Sequence, residues 1–281
     1  MNPQLEAIRD QQKQSWNKFS SGWKKWDELT MEFLRPMGDS IIRHISPSGN
    51  HHVLDIAAGT GEPGLTIAAM IPDGRVTITD LSEHMLEIAA GNAAERSVHN
   101  VEIKACDVCQ LPFADNSFDA ISCRFGFMFF PDMQMAADEM TRVLKPGGRI
   151  ATSVWNVPDK NFWITAIMGV IQKNLELPPP PPGAPGMFRC SRPGLLRELF
   201  EKAGLSGISE TETTSVMKSG TTERYWEMMN DIGAPIVAAL SKADDAMRQK
   251  IKEEVFAELN RKFPGKEVHI DASALVVCAQ K

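Results

Sequence analysis

The sequence predicts an α/β protein built on a doubly wound, mostly parallel sheet, and three observations predict it. From residue 52 onward, short apolar runs alternate with segments of helical periodicity. The apolar runs are nearly continuous, as in strands buried on both faces. A glycine-rich loop, DIAAGTGEPG at 55–64, follows the first run and leads into a helical pattern. That is where folds of this class turn tightly and bring backbone close to a ligand.

Each element follows from local pattern. Over residues 4–45, Leu5, Ile8, Trp16, Phe19, Trp23, Trp26, Leu29, Phe33 and Leu34 recur at three- and four-residue steps, so this stretch reads as helices punctuated by Gly22 and Pro36. Seven segments read as strands: 52–57, 75–80, 101–105, 118–123, 148–155, 210–216 and 273–279. Helices are expected at 62–71, 82–95, 132–144, 162–173, 193–203 and 222–263. KPGG at 145–148 reads as a helix stop and turn, Ser191 as a helix cap and Gly204 as a stop. PPPPPGAPG at 178–186 reads as a stiff, extended connector. With no repeat and no clear linker, residues 1–281 form one domain. A helical cover occupies 1–50, a ligand-binding core 51–157, and acceptor-side helices and final strands 158–281, with a helical insertion before the last strand.

Composition narrows the class. The chain has 281 residues, 43% hydrophobic and 23% charged, with a net charge of -6. That balance argues against a strongly basic nucleic-acid-binding domain. No apolar run approaches a membrane span and no signal-peptide pattern is present, so a cytoplasmic protein is expected. The 5 cysteines are odd in number and mostly lie in apolar runs, which fits free thiols. Cys106 and Cys109 form a lone C-x-x-C with no second pair, so no metal site is expected. All six tryptophans lie outside residues 27–154, so the flanks are built differently from the core.

The candidate site begins at the loop. Gly59 and Gly61 permit the turn, and Gly59, Gly61 and Gly64 formally fit G-x-G-x-x-G, although Ala57 stands where a dinucleotide fingerprint has its first glycine. Asp80 ends the second strand, 19 residues after Gly61, where a carboxylate accepts hydrogen bonds from a ribose diol. This supports an adenosine-bearing ligand without choosing among them. Asp55 would repel a pyrophosphate but suits a cationic amino-acid end. Asp107 places a second acid where an adenine amino group could donate.

LPFADNSFDAISCRFGFMFF at 111–130 and VLKPGGRI at 143–150 complete the pattern. With them the sequence resembles the class I S-adenosylmethionine-dependent methyltransferases, in the UbiE-like (type 11) branch, most densely over 53–155. The resemblance implies a Rossmann-like sheet of about seven strands with the last antiparallel. It implies that Asp55, Ala57, Gly59 and Gly61 wrap the methionine portion of S-adenosylmethionine, that Asp80 binds the ribose, and that Leu81 and Met85 lie beside the adenine. Asp107 and Val108 would read the adenine edge, and Cys123 and Arg124 would lie near the sulfonium, with Arg124 equally readable as a buried salt-bridge partner. Phe127 and Phe129 would face the acceptor, and Trp16 and Trp23 would close over it, although both also read as plain core.

An activated sulfonium methyl needs mainly positioning and water exclusion, and the product is S-adenosylhomocysteine. A hydroxyl acceptor would add the need for a base. His84, His51, His52, His44, His99 and His269 read as structural or solvated, and Tyr225 is the remaining candidate, so no catalytic residue is assigned. The expected partner is a small methyl acceptor with hydrophobic character, given Met128, Phe129, Phe130, Met168, Met187, Phe188, Met228 and Met229. No nucleic acid partner is expected, and a homodimer is left open. The alternatives are a nicotinamide-dependent Rossmann oxidoreductase and a non-catalytic S-adenosylmethionine-binding protein.

Overall fold

A computed structural model of the chain describes residues 3–178, 181, 183–265 and 267–281. The strands are β1 (His52–Ile56), β2 (Arg75–Asp80), β3 (Val101–Ala105), β4 (Phe118–Arg124), β5 (Leu144–Trp155), β6 (Ser206–Gly220) and β7 (Val268–Gln280). They form one sheet in the order β3-β2-β1-β4-β5-β7-β6. The first five pair in parallel, and β7 runs antiparallel to both its neighbours. The chain steps outward from β1 to β3, then returns to lay β4 on the other side of β1. That reversal makes a switch point at the carboxyl ends of β1 and β4, where such sheets bind ligands.

The near-continuous apolar strands have the expected cause. Leu54, Ile121, Ile150 and Val277 belong to one buried cluster, and their chain neighbours Val53, Ala120, Ala151 and Val276 belong to another. Successive side chains point to opposite faces of a strand, so both faces of this sheet are covered. The helices that cover them and extend the fold are α1 (Pro3–Lys25), α2 (Asp27–Ile45), α3 (Gly64–Met70), α4 (Glu83–Glu95), α5 (Met133–Val143), α6 (Phe162–Leu175), α7 (Leu195–Lys202), α8 (Thr222–Ile232), α9 (Ala234–Leu240) and α10 (Asp245–Lys262). The last three form the helical insertion between β6 and β7.

Several expectations change in detail. Gly22 and Pro36 do not break helices: Gly22 lies inside α1 and Pro36 inside α2. Gly22 is instead a packing residue, because a Cβ there would stand 2.0 Å from the Asp231 carbonyl oxygen of α8. The 222–263 pattern divides at Gly233 and at Asp244, whose side chain accepts from the Met247 N–H and caps α10. Ser191 caps nothing; its hydroxyl donates to the Phe188 carbonyl, and α7 starts after Gly194. KPGG is not a turn before β5 but a bulge inside it: pairing passes from Phe118–Leu144 to Ala120–Arg149, with Gly147 at φ +80°. The proline connector falls partly outside the described residues, at 179, 180 and 182. β6 and β7 outrun their apolar cores because their pairing continues through polar residues, from Ser206–Gln280 to Gly220–Val268.

Candidate active site

The loop after β1 is shaped by three residues in the left-handed region: Ala57 at φ +53°, Gly59 at +57° and Gly61 at +110°. Ala57 is the non-glycine member and carries some strain there. The Asp55 side chain pins the loop from behind. It is fully buried, its Oδ1 accepts from Ser122 Oγ at 2.6 Å, and its Oδ2 accepts from the Gly64 N–H at 2.8 Å. Burial pushes its pKa up to about 7. Thr60 Oγ1 donates to Asp27 Oδ1 at 2.9 Å, which ties the loop to the start of α2.

Asp80 stands across from the loop. Its Oδ2 accepts from the Gly59 N–H at 2.9 Å and its Oδ1 from the Ser82 N–H at 2.8 Å. Burial raises its pKa, opposed by those backbone donors. Each carboxylate oxygen keeps a lone pair for a further donor. Asp107, just past β3, accepts from the Cys109 N–H through Oδ1, while its buried Oδ2 has no partner. An unpaired buried carboxylate oxygen is costly, and its place among the cavity walls makes it a fit acceptor for an exocyclic amine.

These residues open on a cavity of about 440 Å³, within the range of small-molecule sites. Sheet order divides it. From β1, β2 and β3 come Ala57, Gly59, Asp80, Leu81, Asp107 and Val108, with Met85 from α4. From the other side come Trp155 of β5, Trp163 of α6, Met217 of β6, and Met228 and Met229 of α8. Arg124 and Phe125, at the end of β4, stand between the two halves. Phe125 stacks on Trp155 with ring centroids 4.1 Å apart and planes 17° apart. Helix α1 forms a roof with Trp16 and Trp23, and Trp16 meets the edge of Phe129 at 5.2 Å.

Of the residues singled out by sequence, Asp55, Gly61, Cys123 and Phe127 do not line the cavity. Asp55 faces the interior anchors just described. A Cβ on Gly61 would stand 2.8 Å from Leu65 Cδ1, so this glycine serves close packing. Cys123 is fully buried with its thiol pushed up to about 12 by burial, and Phe127 packs against Phe130 and Phe200. Met128, Met168 and Phe188 also lie outside the lining. Tyr225 does not reach the cavity; it is fully buried and its hydroxyl donates to the Trp163 carbonyl at 2.7 Å. His84 packs on the Asn17 carbonyl, and His52 sits at the far end of β1 against Thr77, with its pKa lowered to about 4 by burial. Sequence reading missed Phe33, Trp155, Trp163 and Met217 as cavity walls; the tryptophans beyond the core were the signal.

Known proteins decide between the adenosine ligands that this geometry allows. Residues 53–148 match the model of a methyltransferase domain. A demethylmenaquinone methyltransferase of Listeria monocytogenes is 34% identical over 200 residues, spanning 66% of this chain and 77% of the relative. One from Staphylococcus aureus is 36% identical over 132 residues, 45% of this chain and 54% of the relative. Among solved structures, the YcgJ protein of Bacillus subtilis has a TM-score of 0.59 at 22% identity, covering 87% of this chain and 97% of that one. Haemonchus contortus phosphoethanolamine N-methyltransferase 2, solved with S-adenosylhomocysteine, has a TM-score of 0.56 at 19% identity, covering 95% of this chain and 60% of that one. At such identities the two structures speak for the fold alone, whereas the sequence relatives speak for the family. The chain belongs to the class I S-adenosylmethionine-dependent methyltransferases, in the UbiE-like branch, and is an enzyme that uses S-adenosylmethionine.

Proposed function

We propose that the enzyme methylates a small, flat, largely apolar molecule of quinone-like character, by in-line displacement that depends on positioning and water exclusion. The observation that carries this reading is the division of the cavity between a polar half with free carboxylate lone pairs and a half walled by tryptophan, phenylalanine and methionine. S-Adenosylmethionine, when bound, supplies an activated methyl on a cationic sulfur. In this reading Asp80 accepts from the ribose hydroxyls, the Asp107 Oδ2 accepts from the adenine amine, and the backbone of 57–60 follows the methionine portion.

The apolar half holds the acceptor in contact distance and excludes water. Charge is dispersed as a sulfonium becomes a thioether, so a dry aromatic wall favours the transfer. Among the described residues lining the cavity there is no histidine, lysine or tyrosine to act as a general base, and of its carboxylates Asp80 and Asp107 serve the cofactor in this reading while Glu62 pairs with Arg96. Catalysis in this reading therefore rests on orientation. A quinone-like acceptor also accords with the named activity of the Listeria relative.

The test is turnover of labelled S-adenosylmethionine with reduced naphthoquinones, against phosphoethanolamine and glycine as polar controls, with products identified by mass. Methyl transfer to the hydroquinones is expected, and transfer to the polar amines alone would overturn the reading. Asp80→Asn, which keeps the shape but removes the charge, should weaken S-adenosylmethionine binding on the order of 10- to 100-fold by calorimetry, as expected for loss of charged hydrogen bonds. Unchanged affinity would remove Asp80 from the ribose site.

A further inference from the structure

We propose that Arg124 is the anion-holding residue for the acceptor: its guanidinium binds the ionised hydroxyl of a flat enol or phenol and so selects acceptors of that class. The proposal rests on the reading of the apolar half of the cavity as the acceptor's place.

Arg124 is the one basic side chain among the described residues lining the cavity. By strand order it stands at the end of β4, between the carboxylate-bearing half and the aromatic half. Its chain neighbour Phe125 is stacked on Trp155, and both rings line the same cavity as Arg124, as a flat wall against which a planar ring would lie.

What makes this arginine unusual is that no described carboxylate is paired with it. Its recorded contact is Nη2 to the Met31 sulfur at 3.4 Å, a weak acceptor. Glu62, Asp55 and Asp27 lie near enough to act on its charge. Each is engaged elsewhere: Glu62 with Arg96, Asp55 with Ser122 and Gly64, and Asp27 with Thr60. A guanidinium does not shed its proton at ordinary pH, so it keeps a desolvated charge and unused N–H donors beside the cavity. A planar donor fork of this kind is suited to an oxygen anion.

The carboxylates lining the cavity are engaged elsewhere, Asp80 and Asp107 with the cofactor in this reading and Glu62 with Arg96, and this points the same way. An acceptor whose hydroxyl is already acidic needs no base in the site, and a guanidinium beside it favours the ionised form. In the step, the hydroxyl proton goes to water. The electron pair released into the conjugated system forms the new bond to the methyl carbon. The S–CH₃ pair returns to sulfur, leaving a neutral thioether.

The probes are 2-hydroxy-1,4-naphthoquinone, an acidic enol whose visible absorption reports ionisation, and its methyl ether. Both are titrated into the full chain saturated with S-adenosylhomocysteine. The enol should bind in its anionic form about tenfold or more tighter than the ether, equivalent to about 1.4 kcal/mol. Arg124→Met should abolish that preference while leaving the affinity for S-adenosylhomocysteine nearly unchanged, which also shows that the variant is folded. Arg124→Lys should keep part of the preference. A preference that survives in Arg124→Met overturns the proposal, as does a loss of S-adenosylhomocysteine binding as large as the loss of probe binding, which would assign Arg124 to the cofactor. If neither probe binds the loaded chain, the quinone-like reading itself fails. If both bind equally, that reading stands and the role of Arg124 falls.

Discussion

At the scale of single residues, Asp55 shows how a carboxylate can serve a site without entering it. It joins β1 to β4 through Ser122 and to the start of α3 through the Gly64 N–H. Its burial raises its pKa from an ordinary value of 3.8 to about 7. Between those two values the folded chain holds a proton that the unfolded chain has released. Stability from this group is therefore full below the lower value, falls as pH rises through the window, and is gone above the higher one. With about 1.4 kcal/mol per pKa unit, the loss is on the order of a few kcal/mol. Asp55→Asn keeps an acceptor for the Gly64 N–H, offers its amide N–H to the Ser122 hydroxyl in place of accepting from it, and has nothing to titrate. Relative to wild type, its unfolding free energy should rise from about pH 4 to about pH 8 in urea titrations. A difference that stays flat or shrinks over that range would mean that Asp55 is charged in the folded protein.

At the scale of elements, α1 is the part whose attachment differs from the rest. Its buried residues are Ser20 and Gly22, whereas α2 buries Phe33, Leu34, Met37, Ile41, Ile42 and Ile45 among others. Polar ties hold α1 down: Lys13 to Glu83, Asn17 to Ser82, and Lys24 to Asn92. A helix held this way opens more readily than one held by apolar burial. Because Trp16 and Trp23 roof the cavity, and the buried Trp23 Nε1 has no partner, a ligand beneath them should hold the helix closed. Amide exchange over residues 3–25 should therefore be faster than over α2 and should slow when S-adenosylhomocysteine binds. Equal protection in α1 and α2, with no ligand effect, would make α1 a fixed wall. The helical character of this region was legible in its three- and four-residue spacing, but the break at Trp26 was not, because Gly22 and Pro36 looked like the natural stops. Tertiary contact with α8 explains Gly22 and lies outside any local pattern. The same limit applies to the site: Asp80 and Gly59 were legible from position after a strand, whereas the inward turn of Asp55 depends on Ser122, distant in sequence. The extended ends of β6 and β7 were hidden because polar residues such as Ser206, Ser209 and Lys218 of β6 and His269 and Asp271 of β7 carry no apolar signal.

At the scale of the whole molecule, the cavity is assembled from parts that are remote along the chain. Its walls come from α1 and α2, from the ends of β1 to β5, and from β6 and α8, so they draw on the first fifth, the middle and the last third of the sequence. β7, near the carboxyl end, lies between β5 and β6 and joins the late segments to the parallel sheet by continuous pairing. S-Adenosylhomocysteine in the polar half touches the cover and the sheet, and the sheet carries the late helices through the pairing of β5, β7 and β6. Unfolding any of these parts alone would lose the ligand, so binding should stabilise all of them as one unit. At a concentration of about 100 times its Kd, a ligand specific to the folded state adds about 2.7 kcal/mol. For a chain of this size that corresponds to a rise in Tm of roughly 5 °C. Calorimetry with S-adenosylhomocysteine should therefore show a single transition moving upward as a whole, and NADH at the same concentration should leave it in place. Two transitions, of which S-adenosylhomocysteine moves the first alone, would divide the chain into independently folding parts. The helices after residue 158 would then have to be treated as a separate module lent to the site, and not as part of the domain that builds it.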